Sequence, residues 1–220
     1  MRLLHRLLTA STLATAMSVL PVAAASAQTT TMDFSGLGPN NYDPIPYTYG
    51  SHANLTVTNR TRLGWGNSQS NTCNQVSYWQ ANYSSLVDVA FPCFSGGVGE
   101  FQFVPVVGQS VTLNTMNIGS YFAPANGIGP ARAFDVRVYD LSWNPLFAQT
   151  GIVTSTQQIT FNVTSAQGLY LQFGTDWNVG VDDISTTVAS SQATVPEPAT
   201  LALLVPAVAG VLLARRRRAA

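Results

Sequence analysis

Residues 133–141 (AFDVRVYDL) alternate apolar and polar side chains. Phe134, Val136 and Val138 fall on one side of an extended chain, and the charged residues between them fall on the other. Because successive side chains of a β-strand point to opposite faces, this period of two predicts a strand with one buried face. Residues 142–145 (SWNP) follow directly and carry residue types that favour a tight turn, which predicts a hairpin.

Further runs in the middle of the chain have the same β-rich character, and no stretch there shows sustained helical periodicity. The runs are residues 53–58 (ANLTVT), 99–107 (GEFQFVPVV), 110–118 (SVTLNTMNI), 158–163 (QITFNV), 168–173 (GLYLQF) and 179–185 (VGVDDIS). Repeated short strands without helices are typical of proteins built from two packed sheets. The pattern therefore predicts an all-β fold, an antiparallel jelly-roll-like β-sandwich.

The beginning of the chain has the order of a secretory signal peptide. Arg2 and Arg6 give a positive start, residues 7–22 are largely apolar, and residues 25–27 (ASA) supply the small side chains of a cleavage site. This order predicts that residues 1–27 direct export and are removed by signal peptidase. An uncleaved N-terminal anchor is the alternative.

The end of the chain carries a second apolar run. Residues 201–214 (LALLVPAVAGVLLA) carry no charge. Fourteen helical residues rise about 21 Å, and extension back to residue 198 gives about 25 Å, against a hydrocarbon core of about 30 Å. Local thinning of the bilayer and snorkelling arginines make that length sufficient, so we expect a transmembrane helix over residues 199–214. The arginine cluster that follows places the C-terminus in the cytoplasm: Arg215, Arg216, Arg217 and Arg218.

The charge of the part between these ends differs from that of the whole chain. The whole chain has ten basic and ten acidic residues, but six of its arginines lie in the two end segments. Residues 28–195 therefore keep four arginines against nine carboxylates, a balance of −5, with no lysine. A protein that neutralises nucleic-acid phosphates needs a basic surface, so this composition argues against nucleic-acid binding.

The chain has two cysteines, Cys73 and Cys93, and both lie in the part predicted to be exported. In an oxidising compartment such a pair favours one disulfide, although two buried thiols are the alternative. A loop of about 20 residues closed in this way stabilises a fold by about 3 kcal/mol. Because His52 is the one histidine of this part of the chain, a zinc site is not expected.

A short motif precedes the C-terminal apolar run, and it consists of Val195, Pro196, Glu197 and Pro198. Together with the apolar run and the arginines, it resembles the PEP-CTERM sorting tail. That resemblance implies recognition by an exosortase, a membrane-embedded cysteine protease-transpeptidase, which removes the tail and leaves the protein at the cell surface or outside the cell. The prolines hold the motif extended, and Glu197 presents one charge just outside the membrane.

The predicted sandwich is also similar to jelly-roll domains of PEP-CTERM proteins. The segments that carry this similarity are residues 31–37 (TMDFSGL), 110–121 (SVTLNTMNIGSY), 134–147 (FDVRVYDLSWNPLF) and 168–185 (GLYLQFGTDWNVGVDDIS). The resulting organisation is a signal peptide over residues 1–27, a sandwich over 28–185, a polar linker over 186–194 and a sorting tail over 195–220. Related sandwiches include carbohydrate-binding modules, which is an analogy of fold alone.

Two aspartates are candidates for a structural calcium site. Asp33 falls in the segment predicted to be the first strand of the domain, and Asp183 lies in the run predicted to be its last strand. In jelly rolls the terminal strands are often neighbours, and the resemblance implies that such domains frequently hold calcium there. Carboxylates and backbone carbonyls, here from residues 49–51, are the ligands that calcium prefers. Aspartates that are solvated or bonded to turns are the alternative.

Trp143 and Trp177 fall in predicted loops and are candidates for stacking on sugar rings. Most aromatic residues of a domain this size belong to the core or its rim, so a structural role is the alternative for both.

The sequence gives weaker support for a catalytic site than for a binding site. Glu100 is the one glutamate of the domain and no motif pairs it with a second carboxylate, as a glycosidase requires.

These observations favour an exported noncatalytic surface or matrix protein that is processed through its C-terminal tail. A carbohydrate-binding module for exopolysaccharide is the first alternative, and a glycan-active enzyme is the second. The expected partners are signal peptidase, an exosortase, the membrane before processing and, in the first alternative, exopolysaccharide.

Overall fold

A computed structural model of the chain describes residues 26–38, 40–70, 73–121, 130–174 and 177–191. The predicted signal peptide lies outside these residues except for its last two positions. The sorting motif, the apolar run and the arginine cluster lie outside them entirely, so these assignments stay predictions. Within the described residues, none of the secondary structure is a helix of the length and apolarity that crossing a bilayer requires.

The described residues form strands and no α-helix. The strands are β1 (Gln28–Met32), β2 (Leu55–Arg62), β3 (Ser77–Trp79), β4 (Val89–Phe91), β5 (Val98–Pro105), β6 (Gln109–Ser120), β7 (Arg132–Asp140), β8 (Pro145–Val153), β9 (Gln157–Ser165), β10 (Leu169–Phe173) and β11 (Val179–Ser190). Every pairing between them is antiparallel. The predicted all-β class is confirmed.

The strands form two sheets. The first, here named the β11 sheet, has the order β3-β4-β11-β6-β9, and β1 pairs with β11 beside β4. The second, here named the β5 sheet, has the order β2-β5-β10-β7-β8. The predicted hairpin is present, because β7 pairs with β8 across the turn that contains Trp143. The fold is therefore an antiparallel β-sandwich.

The core lies between the two sheets, where one face of each strand is buried. In β7, Phe134, Val136 and Val138 belong to this core, as their alternation predicts. In β5 and β10 of the same sheet, Phe101 and Phe173 stack with their ring centroids 6.0 Å apart. Burial of each such side chain stabilises the fold by about 1.5–3 kcal/mol. The period-two pattern thus identifies the inward faces.

Four strands lie outside the predicted runs, namely β1, β3, β4 and β8. Strands β3 and β4 have three residues each, too few to show a period. Strand β8 is an edge strand that begins with Pro145, and most of its residues are exposed. An edge strand tolerates proline at its start and needs no buried face, so its sequence carries little alternation.

Strand β11 extends further than the sequence indicated. The predicted linker begins at residue 186, whereas the strand continues to Ser190. Thr187 explains the difference, because it pairs with β1 on one side and with β6 on the other. A polar, small-residue segment is thus held as a strand by its two neighbours.

Candidate functional site

A network of buried charges lies on the outward face of the β5 sheet. Arg60, Glu100, Gln172 and Arg137 occupy one row across four neighbouring strands. Glu100 and Gln172 are fully buried although they face away from the core. Glu100 Oε2 accepts hydrogen bonds from Arg62 Nε and, at 2.7 Å, from Gln172 Nε2. Both ion pairs that Glu100 forms therefore join it to arginines of β2.

The loop after β2 covers this network. Gly66 N–H donates to Gln172 Oε1 at 2.8 Å, and Gln172 Nε2 donates back to Gly66 O at 2.9 Å. Arg62 Nη1 donates to Ser68 O in the same loop. A buried charge is tolerated only when it is paired and hydrogen-bonded. Arg62 meets this condition through Glu100 and Ser68, and Glu100 meets it through its Oε2 atom.

Trp143 lies on the same face, at the turn between β7 and β8. Its indole ring stacks on Tyr170 with centroids 4.1 Å apart and ring planes 7° apart. The guanidinium carbon of Arg62 lies 4.7 Å from the centroid of the indole. The turn itself is held by Asp140, whose carboxylate accepts a hydrogen bond from Asn144 N–H at 2.9 Å. Trp143 is therefore a structural contact of the network, and stacking on sugar stays a prediction.

Trp177 lies elsewhere, beside the β11 sheet, and the structure does not bring it together with Trp143. It packs against Tyr121 with centroids 5.2 Å apart, in a cluster of aromatic rings on the outward face of that sheet. Tyr83 approaches this face so closely that a side chain at Gly119 or Gly180 would collide with it. The two predicted stacking residues thus belong to separate surfaces.

The disulfide between Cys73 and Cys93 is formed, with Cα atoms 6.5 Å apart, which confirms the predicted pairing. The segment after Cys73 runs along the free edge of β2. Thr61 N–H donates to Asn74 O at 3.2 Å, and Thr61 Oγ1 donates to Gln75 O at 2.9 Å. The disulfide and Thr61 together fix this segment as a wall beside the sheet.

A second segment forms the opposite wall, and Asn59 joins the two. The side chain of Asn59 is fully buried; its Nδ2 donates to Pro46 O at 2.8 Å and to Tyr47 O at 3.3 Å. Its Oδ1 accepts from Val76 N–H at 3.2 Å. Between the walls lies an open groove of about 520 Å³, lined by Tyr47, Arg60, Ser70, Cys73, Asn74 and Gln75.

Sequence reasoning did not identify this groove. Its signal was present in β2, where Asn59 and Thr61 follow Leu55 and Val57 at alternate positions. A polar residue at a core-facing position needs hydrogen-bond partners, and here those partners are the two walls.

The candidate calcium residues lie at the point where one edge of β11 stops pairing with β4 and begins to pair with β1. Val181 pairs with β4, and Ile184 pairs with Met32 at the end of β1. The prediction that the terminal strands are neighbours is thus confirmed, whereas Asp33 lies directly after the end of β1 and not within the first strand as predicted. Asp182 and Asp183 occupy the point of change, where the ladder to β6 is also irregular.

Several carboxylates lie near one another at this point of β11. Burial raises the pKa of the Asp182 carboxyl to about 8, and the charges of Asp183, Asp33 and Asp88 act in the same direction. Burial, with the charge of Asp33, also raises the pKa of the Tyr49 hydroxyl.

The oxygens of the two predicted calcium ligands already accept hydrogen bonds. Asp33 Oδ1 accepts from Ser35 Oγ at 3.0 Å, and Asp183 Oδ2 accepts from Asn117 Nδ2 at 2.8 Å. Among the described residues, no set of three or more His, Cys, Asp and Glu side chains is arranged to hold a metal ion. The carboxylates are close together without forming a cage, and calcium at Asp33 and Asp183 stays a prediction.

Comparisons with known proteins give little further information. No protein-family model and no curated protein matches the chain. Among solved structures, the chain is similar to MgGH51 α-L-arabinofuranosidase with arabinose bound, at 10% identity and a TM-score of 0.34. The match covers 67% of this chain and 25% of that enzyme, so this chain corresponds to about a quarter of it. A likeness of this size supports no inference about function.

Proposed function

We propose that the chain is an exported, noncatalytic surface or matrix protein whose C-terminal tail is processed by an exosortase. The observation that carries the export step is the disulfide between Cys73 and Cys93. Disulfides persist in oxidising compartments outside the cytoplasm. The two ends of the sequence supply the rest of the proposal, a signal peptide at the start and a sorting tail at the end.

The distance between the fold and the sorting motif supports processing close to the sandwich. Ser191 N–H donates to Gly108 O at 2.9 Å, so the ordered chain reaches at least to Ser191. Val195 lies four residues further along, a span of at most about 14 Å. Cleavage at the motif would leave β11 and all its pairings in place. The released product is therefore the intact sandwich.

The test changes the motif to alanine by combining Pro196→Ala, Glu197→Ala and Pro198→Ala. Hydrophobicity of the tail and the arginine cluster hardly change, so membrane insertion should be retained. Maturation should be blocked, and a longer membrane-bound form should accumulate. The measurement is an immunoblot of membrane and released fractions from a host that contains an exosortase.

Gln192→Ala combined with Thr194→Ala is the matched control, since it changes polar residues just before the motif. This control should mature like the wild type. If the motif variant and the wild type keep their arginine ends and remain equally membrane-bound, the sorting function is wrong.

A second candidate function is glycan binding, and the groove beside β2 favours it. Tyr47 presents a ring that is 49% exposed, next to a guanidinium and two amide side chains. The ring supplies a surface for stacking, and the polar side chains beside it supply hydrogen-bonding groups for sugar hydroxyls. Binding on a glycan array that is lost with Tyr47→Ala would support this function at the groove. Loss with Trp143→Ala or Trp177→Ala instead would support it at the predicted tryptophans.

A further inference from the structure

The groove beside β2 carries a positive charge in a domain that is otherwise acidic. The network behind it contains two arginines, Arg60 and Arg62, and one carboxylate, Glu100. Arg62 is almost completely buried, whereas the side chain of Arg60 is 26% exposed and lines the groove. One carboxylate balances one arginine, so the surplus positive charge is available at Arg60.

The hydrogen-bond donors of Arg60 are incompletely used within the described residues. Its Nη2 donates one long hydrogen bond, of 3.4 Å, to Gln102 Oε1. Its Nε lies 3.2 Å from Glu100 Oε1, but that buried oxygen has no hydrogen-bond partner among the described residues. A guanidinium has five N–H donors in a planar fork that matches a carboxylate. Arg60 therefore retains donors for a carboxylate that enters the groove.

The groove also provides the contacts that a sugar ring requires. Tyr47 offers an exposed aromatic ring on a segment whose backbone carbonyl accepts a hydrogen bond from Asn59. On the opposite wall, Asn74 and Gln75 offer amide groups, and their backbone is held by Thr61. Aromatic rings stack on the apolar faces of sugars, and amides pair with vicinal hydroxyls. An acidic peptide would use the guanidinium but has no flat hydroxylated ring for these walls.

We propose that the groove is a subsite for a uronic acid residue of a polysaccharide. Arg60 pairs with the sugar carboxylate, Tyr47 stacks on the ring, and Asn74 and Gln75 bind its hydroxyl groups. The inference rests on the glycan-binding function proposed above as the second candidate. It adds the chemical class of the ligand and the residues that select it.

The experiment titrates the folded, disulfide-bonded domain with two matched probes. One is a β-1,4-linked tetrasaccharide of glucuronic acid, and the other is the corresponding tetrasaccharide of glucose. Calorimetry or NMR shift mapping should show tighter binding of the acidic probe, with shifts at Tyr47 and Arg60. Because the selecting contact is ionic and partly exposed, its affinity should fall as the salt concentration rises.

Variants of the groove identify the residues. Arg60→Gln should weaken binding of the acidic probe by about tenfold or more, since it removes a charge-assisted pair. It should change binding of the neutral probe by about twofold at most. Tyr47→Ala should weaken both probes, and Tyr47→Phe should retain binding. Arg137→Gln is the matched control, because Arg137 lies on the same face but pairs with Asp135 and does not line the groove.

The outcomes separate this proposal from the function on which it rests. Equal binding of the two probes overturns the selection of uronic acid and leaves glycan binding intact. Binding that is unchanged in Arg60→Gln and Tyr47→Ala overturns the site. Failure of both probes together with an empty glycan array overturns both proposals. Melting temperatures of every variant within a few degrees of wild type ensure that lost binding is not lost folding.

Discussion

The two sheets bury their charged residues in opposite ways. On the β5 sheet, Arg62 and Glu100 are buried as partners of opposite sign, and Gln172 donates a further hydrogen bond to Glu100 Oε2. At the junction of β1, β4 and β11, Asp182 is equally buried, but its charged neighbours are other aspartates. The first arrangement is named here the ionic network, and the second the aspartate cluster.

The difference shows that burial alone does not decide the state of an ionisable group. In the ionic network, each charge is stabilised by its partner. If one partner is removed, the desolvation free energy of the remaining buried charge is no longer offset. In the aspartate cluster, burial and like charges make ionisation costly, so the Asp182 carboxyl keeps its proton up to a pH of about 8. We therefore expect the ionic network to lose stability when one of its residues is removed. We expect the stability contributed by the aspartate cluster to depend on pH and on added cations.

The largest effect is expected from Glu100→Ala. The change leaves Arg62 buried without its carboxylate, and breaking a buried pair in this way costs about 3–5 kcal/mol of unfolding free energy. Urea denaturation followed by tryptophan fluorescence measures the loss. Glu100→Gln is the control and should cost less, because an amide oxygen still accepts from the arginine. A loss below about 1 kcal/mol for Glu100→Ala would contradict the description of the network.

Calcium is expected to stabilise the aspartate cluster by a smaller amount. An ion that binds only the folded state adds about 2.7 kcal/mol at 100 times its dissociation constant. The melting temperature of chelator-stripped protein should therefore rise when calcium is added, and Asp183→Asn should reduce the rise. Asp43→Asn, which changes an aspartate outside the cluster, should not. An unchanged melting temperature in the wild type would argue against the site.

Without calcium, the stability should depend on pH through Asp182. Its pKa is about 8 in the folded chain and near the ordinary 3.8 in the unfolded chain. Between these values the folded chain binds a proton that the unfolded chain does not, so stability is greatest below pH 4 and falls as pH rises towards 8. Solvent screening reduces the effect to about 1–2 kcal/mol.

Asp182→Asn tests this dependence. The variant should flatten the fall between pH 4 and pH 8 and should be more stable than wild type at pH 8. Thermal unfolding across this range measures both effects. An unchanged slope would show that the carboxyl ionises normally in the folded chain.

The smallest effect is expected where Trp143 covers the ionic network. Stacked aromatic pairs contribute about 0.5–1.5 kcal/mol beyond burial. A double-mutant cycle of Trp143→Ala and Tyr170→Ala should therefore give a coupling energy in that range without any ligand. A coupling energy near zero would mean that the indole is available for sugar rather than committed to the fold.

The longer strands with a buried face were predictable from sequence, because their side chains alternate along the chain. In β7 and β10 the alternation of apolar and polar side chains indicates which face of the strand packs against the core. The disulfide was also predictable, because two cysteines in a domain predicted to be exported leave one pairing. Even the proximity of Asp33 to β11 followed from the usual pairing of terminal strands.

The groove could not be predicted, because its parts are distant in sequence. Tyr47, Arg60 and Gln75 meet only because Asn59 and Thr61 bind two separate segments along the free edge of β2. The pairing of Glu100 with arginines required the register of β2 on β5, which no local pattern contains. The same is true of Trp143 and Trp177, whose loop positions did not reveal that they lie on different sheets.

The position of β11 has a mechanical consequence. Its last residues pair with β6 on one side and, through Val188 and its neighbours, with β1 on the other. A pulling force applied to the chain beyond Ser191 runs along the axis of β11. Two hydrogen-bonded ladders then resist it in shear, and their bonds must break together rather than one at a time. A protein held at a surface by its C-terminal end would thus carry load through a strand that pairs with three others.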